Sequence, residues 1–68
     1  MEKRFDGPGD IAIIINEATG QVLVQKGLIW AEDYRTVMQS KSIEGIELTQ
    51  NQLDWLAAKI DVVARYCD

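Results

Sequence analysis

LDWLAAKIDVVARY, residues 53–66, reads as one helix with apolar residues on two sides. At about 100° per residue, Leu53, Leu56, Ala57, Ile60, Val63, Ala64 and Cys67 fall in one arc about 120° wide, the ordinary stripe that a helix turns to a core. Nearly opposite stand Trp55, Ala58, Val62 and Tyr66. Polar residues fill the seams: Asp54, Asp61, Arg65 and Asp68 on one side, Gln52 and Lys59 on the other. What covers the second stripe decides whether this chain closes on itself or needs a neighbour.

The start of this helix is well marked. Thr49 and Gln52 have capping-box spacing, with the hydroxyl reaching the third helical amide and the glutamine side chain returning to the cap amide. Leu48 and Leu53 stand at the positions of a hydrophobic staple. No Gly or Pro interrupts the run to Tyr66, so one long helix is expected.

Working back toward the N-terminus, DIAIIINEATGQVLVQKG, residues 10–27, carries the β signal. Ile11–Asn16 is rich in β-branched residues, and Gln21–Gln25 alternates polar with apolar. Between them Glu17-Ala18-Thr19-Gly20 suits a type I turn closed by Gly20 at positive φ. A hairpin is expected. Its first strand is apolar on both faces, which predicts cover on both. Two strands alone are marginal in water, so a third strand or a second copy should join them.

After Gly27, LIWAEDYRTVMQSK reads as helical from near Ala31. Trp30, Tyr34, Val37 and Met38 form one stripe, and Glu32 and Asp33 supply first-turn negative charge. No residue stands out as its N-cap. Ile46–Leu48 fits a short edge strand or an anchored loop around Gly45 equally well. Residues 1–9, broken by Gly7-Pro8-Gly9, read as a flexible arm ahead of a single α+β domain over 10–68. The expected architecture is therefore an N-terminal hairpin, with a possible short third strand, packed against a short helix and a long C-terminal helix.

Composition narrows the function. The chain has 68 residues, so one domain is the ceiling. Chains this small often need disulfides, a metal or a partner subunit to hold together. Cys67 is the only cysteine and there is no histidine, which excludes an intrachain disulfide and a Cys/His zinc site. Self-association is the remaining common remedy, so a homodimer is expected, with another protein as the alternative partner. No cofactor is indicated. The lone thiol fits a reducing compartment, making a cytoplasmic location the default. The N-terminus lacks the apolar segment of a signal peptide, and Ile11–Ile15 is far too short to span a bilayer.

No catalytic constellation is visible. Histidine, the commonest general acid or base, is absent. Cys67 reads as a structural thiol, with only Arg65 nearby to lower its pKa. Asp6, Asp10 and the glycines between them match neither a calcium loop nor a phosphate-binding loop. A non-enzymatic protein-interaction module or small regulator is the expected function. Its contact residues are Trp55, Ala58, Val62 and Tyr66, where small Ala58 between aromatics allows a second helix to approach closely. Pairing through the hairpin is another route to a dimer.

Two further readings rest on charge. The net charge of -4 suits an acidic inhibitor imitating nucleic acid, provided Glu32, Asp33, Glu44 and Glu47 line up in a ridge. Lys3, Arg4, Lys26 and Lys41 would serve weak nucleic-acid binding through the arm and hairpin, although phosphate backbones are normally gripped by clustered bases.

Overall fold

A computed structural model of the chain describes residues 2–66. It is α+β. Strands β1 (Glu2–Asp6), β2 (Ile11–Asn16), β3 (Gln21–Lys26) and β4 (Trp30–Asp33) form an antiparallel meander in the order β1-β2-β3-β4. Helix α1 (Tyr34–Ser40) follows β4 directly. A miniature hairpin, β5 (Ser42–Ile43) and β6 (Ile46–Glu47), leads to α2 (Gln50–Ala58) and α3 (Ile60–Ala64).

The hairpin expected at the centre of the chain is β2–β3, with Asn16 opposite Gln21. Gly20 takes φ 74°, and its amide donates to the Asn16 carbonyl at 2.8 Å. The Asn16 side chain accepts from the amides of Ala18 and Thr19, which locks the turn from inside. Alternation then sorts the side chains. Ile11, Ile13 and Ile15 share a face with Val22 and Val24, and all five are buried.

The reverse face has no second layer of secondary structure among the described residues. Here Ile14 lies opposite Leu23, and Ala12 opposite Gln25. Arg4 of β1 reaches across β2 to Gln25 of β3, its Nη1 donating to Oε1 at 2.8 Å. Ala12 of β2, opposite Gln25, is buried, while Ile14 and Leu23 stay half-buried. The expected cover on both faces of this strand is therefore only partial on this side, where Ile14 stays half-buried.

Three expectations about the elements are corrected. The first concerns residues 1–9, read as a flexible arm: Glu2–Asp6 is edge strand β1, with Lys3 opposite Ile15 and Phe5 opposite Ile13. Charge at four of its five positions disguised it, yet charges suit an edge strand because they block further pairing. The second concerns the short helix, which begins at Tyr34 and not near Ala31. Asp33 is its N-cap, accepting from the amides of Arg35 and Thr36, and Trp30–Asp33 completes the meander as β4. The stripe that begins at Trp30 fits either element, since Tyr34 and Val37 are buried in α1 all the same.

The third correction is the long C-terminal helix. It breaks at Lys59, where φ is -90° and ψ 5°. The Lys59 amide bonds back three residues to Leu56 at 3.2 Å, and helical bonding resumes with Val63 to Lys59 at 3.0 Å. No Gly or Pro marks the place, so nothing local in the sequence announces it. The capping box of Thr49 and Gln52 forms as expected. Ile46–Glu47 is a strand, but it pairs with Ser42–Ile43 in a sheet of its own and not at the edge of the meander, and Leu48 lies beyond it. The turn before it puts Glu44 and Gly45 at φ 50° and 81°, as a two-residue hairpin of the mirror-image type requires. Cys67 lies outside the described residues.

Ile43, Leu48, Leu56 and Val63 complete the core against the sheet, and Tyr34 crosses it to donate its hydroxyl to the Leu56 carbonyl. That carbonyl also accepts from Lys59, so Tyr34→Phe does not orphan it. A loss of about 1 kcal/mol is expected for the missing bond, read as a lower urea midpoint.

Candidate interaction surface

The fold answers what covers the second stripe. Gln52, Leu56 and Val63 are the buried residues of α2 and α3. On the wheel they centre on the seam that Gln52 and Lys59 mark as polar. Trp55, Val62 and Tyr66 form one shoulder of this buried arc, half-buried and packed against the core, and Leu53 forms the other. The two apolar stripes are the flanks of a single buried face about 180° wide. Ala57, Ala58 and Ala64 lie outside it and are exposed, while Ile60 falls within the arc yet is 51% exposed, beyond the break at Lys59.

The cover on the tryptophan side comes from β1 and the turn after it. Gly7 sits so close to Trp55 that a Cβ there would meet ring atoms at 2.6–2.8 Å. Lys59 Nζ stands 5.9 Å from the same ring's centroid. Lys3 Nζ donates to the Tyr66 hydroxyl at 3.4 Å and lies 4.0 Å from Glu17. Of the expected contact residues, then, Trp55, Val62 and Tyr66 are engaged by their own chain and Ala58 is exposed without them. They do not make a free stripe.

The apolar surface that does stand free is at the β3–β4 turn. Leu28 is 93% exposed, Ile29 80% and Trp30 40%. Lys26 opposes Trp30, so Gly27, Leu28 and Ile29 form the loop between them. Below the tip, Asp10 acts as a brace. Its carbonyl accepts from the Gly27 amide at 2.8 Å, and its carboxylate takes Lys26 Nζ at 2.8 Å and Gln52 Nε2 at 3.4 Å. Gln52 Nε2 also donates to the Pro8 carbonyl at 3.2 Å. One buried amide thus ties α2, the β1–β2 turn and the foot of the tip together. A shallow hollow flanks the tip on each side: one bounded by Lys26, Trp30 and Ile46, the other by Arg4, Asp6 and Ile11.

The hydrogen bond from Lys26, with a smaller Coulombic contribution from the same ammonium, holds the Asp10 carboxyl below the usual carboxylate range. A folded-state pKa below the unfolded one stabilises above the unfolded value and ceases to as pH falls through the folded one. The brace should therefore loosen below about pH 4. Asp10→Asn is expected to flatten the acid limb of the stability–pH curve, measured by urea denaturation between neutral and acid pH.

The charged residues of the other readings are mostly tied up. Glu32 accepts from the Glu44 amide at 2.9 Å and Asp33 caps α1, so two of the four acids of the supposed ridge serve the backbone. Arg4 pairs with Asp6 at 2.9 Å and Lys26 with Asp10 at 2.8 Å, so these bases do not add to a cluster. The glycine turn between Asp6 and Asp10 is filled by Trp55 and Gln52. Among the described residues no three His, Cys, Asp or Glu side chains gather as a metal site, and no helix is long and apolar enough to cross a membrane.

Sequence reasoning missed the tip because Trp30 was counted in the stripe of a helix beginning near Ala31, which left Leu28 and Ile29 as an unassigned link before it. The signal was present: Gly27 precedes three large apolar residues where a turn normally carries polar ones. Comparison with family models, with curated proteins and with solved structures found no match.

Proposed function

We propose that this chain is a non-enzymatic protein-interaction module whose contact surface is the β3–β4 tip. The observation that carries the reading is the run Leu28-Ile29-Trp30, three large apolar side chains held in solvent on a braced turn. Exposing such a run works against solubility and serves no packing need of the chain itself, whereas tryptophan beside aliphatic residues is the usual anchor of a binding surface. The partner surface is placed at the tip and not on Trp55, Ala58, Val62 and Tyr66, because three of those four are engaged internally.

The test is photo-cross-linking from the tip. A benzophenone amino acid in place of Leu28 is expected to give adducts of discrete mass in cells producing the chain, and the same group in place of Glu44 is not. Failure of position 28 to give any discrete adduct would remove the reading. Fold integrity is a separate matter: Leu28→Asp should leave stability within about 0.5 kcal/mol, since the side chain touches so little.

A further inference from the structure

We infer that β1 is a hinged strap. It swings off the sheet edge as one unit about Gly7 while the rest of the domain stays folded. In doing so it bares the edge of β2 and the Tyr66 end of the helix shoulder. The tip plays no part in this, being exposed whether the strap is open or closed.

Burial is the first ground. Every side chain of the buried core cluster comes from Ile11 onward. Of β1 only Phe5 is shielded from solvent, and it is half-buried against that cluster. Among the described residues the strand is paired on one side only, to β2. Its side-chain ties to the rest of the chain are Lys3 to the Tyr66 hydroxyl at 3.4 Å, Lys3 to Glu17 at 4.0 Å, and Arg4 to Gln25 at 2.8 Å. All three lie at the surface, where such ties are individually weak. Release of β1 therefore leaves the core closed and costs less than unfolding the whole domain.

The turn after the strand fixes the pivot. Gln52 Nε2 holds the Pro8 carbonyl at 3.2 Å, and the Gly7 amide bonds the Ile11 carbonyl at 2.9 Å. Residues 7–9 thus stay on the domain while the strand ahead of them swings. Trp55, which lies against Gly7, keeps its cover. Tyr66, which Lys3 reaches from within the strand, loses it.

Closure has its own use. Strand β2 reads IAIIIN, and uncovered it would be an apolar edge open to pairing with any extended chain. The strap that stands in front of it is charged at four of its five positions and discourages such pairing.

Amide exchange read residue by residue separates strap from core, because β2 alternates. The bonds from Gly7 to Ile11 and from Gly27 to Asp10 set the phase of its two ladders. The amides of Ile13 and Ile15 turn to β1, and those of Ala12, Ile14 and Asn16 to β3. The amides of Lys3, Phe5, Ile13 and Ile15 are expected to exchange through one shared opening, with protection about tenfold or more below that of Ala12 and Ile14. Low urea should change this opening little, since it exposes little surface. Phe5→Asp should lower protection at Ile13 and Ile15 by about another tenfold and leave Ala12 and Ile14 within about threefold. It should also shift the ring signals of Tyr66 more than those of Trp55. Equal protection along residues 12–15 of the wild type overturns the strap, because β1 then leaves only when the whole domain unfolds. A uniform fall at these amides in Phe5→Asp, loss of the fold included, overturns it for the same reason. Amides of Lys3 and Phe5 that exchange like a free peptide overturn it too, since a strap must close.

Discussion

Gly7→Val is expected to destabilise the chain by about 2 kcal/mol or more, a large share of the roughly 3–10 kcal/mol that a domain of this length holds in total. The cause is steric. A Cβ at position 7 would lie within 2.6–2.8 Å of Trp55 Cε3, Cδ2 and Cζ3, atoms of a rigid ring that packs against the core. Gly7 is not among the glycines at positive φ, so the penalty comes from contact and not from backbone strain. Trp55→Ala removes the ring, and the double variant should lose less than the sum of the singles, a coupling that a double-mutant cycle in urea measures directly. If residues 1–9 were an arm, valine at position 7 would be neutral and uncoupled to position 55.

Gln52→Leu is expected to cost about 2–4 kcal/mol although leucine is nearly the same size and a better buried residue on transfer grounds. The residue makes four hydrogen bonds at once, three through its side chain and one through its backbone. Its oxygen accepts from the Thr49 amide at 3.2 Å, its nitrogen donates to Pro8 and Asp10, and its own backbone amide is held by Thr49 Oγ1 at 3.2 Å. Leucine keeps only the last. The Pro8 carbonyl and the Thr49 amide then lose their partners in a partly buried setting, where an unmade bond costs more than a made one gains. Thr49→Ala, which removes the cap alone, should cost about 1 kcal/mol. Equal losses from the two variants would show that Gln52 matters only as a capping residue.

Gln52 also explains what could and could not be seen in the sequence. The β2–β3 hairpin was legible because its alternation, its turn and Gly20 all point the same way. The capping box was legible for the same reason. The orientation of the C-terminal helices was not, because the centre of their buried face is a glutamine, which a hydrophobicity pattern scores as surface. Its apolar flanks then look like two separate stripes. Only the long-range bonds from Gln52 to Pro8 and Asp10 reveal why a polar residue belongs inside. The break at Lys59 is likewise marked by no residue type.

The edges of the sheet were hidden in a different way. β1 reads as a solvated arm since four of its five residues are charged, yet Phe5 packs against the core and Lys3 reaches Tyr66. β4 reads as helix because a strand of four residues is too short to display a period. Misplacing β4 had the larger consequence for function. It put Trp30 on the stripe of a helix and left Leu28 and Ile29 as a link before it, so that the turn exposing them is not read as one.

Strand β1 and its turn are what occupy Trp55 and Tyr66 and leave the tip as the free apolar surface, so everything else follows from β1 being part of the sheet. Native-state hydrogen exchange, read amide by amide, tests this most directly. The β1 amides bonded to β2 should be protected well above an unstructured chain, in step with the neighbouring β2 amides, while those of Leu28 and Ile29 exchange fast. Exchange throughout residues 2–6 at the rate of a free peptide would contradict it, for the helix shoulder of Trp55, Val62 and Tyr66 would then stand uncovered.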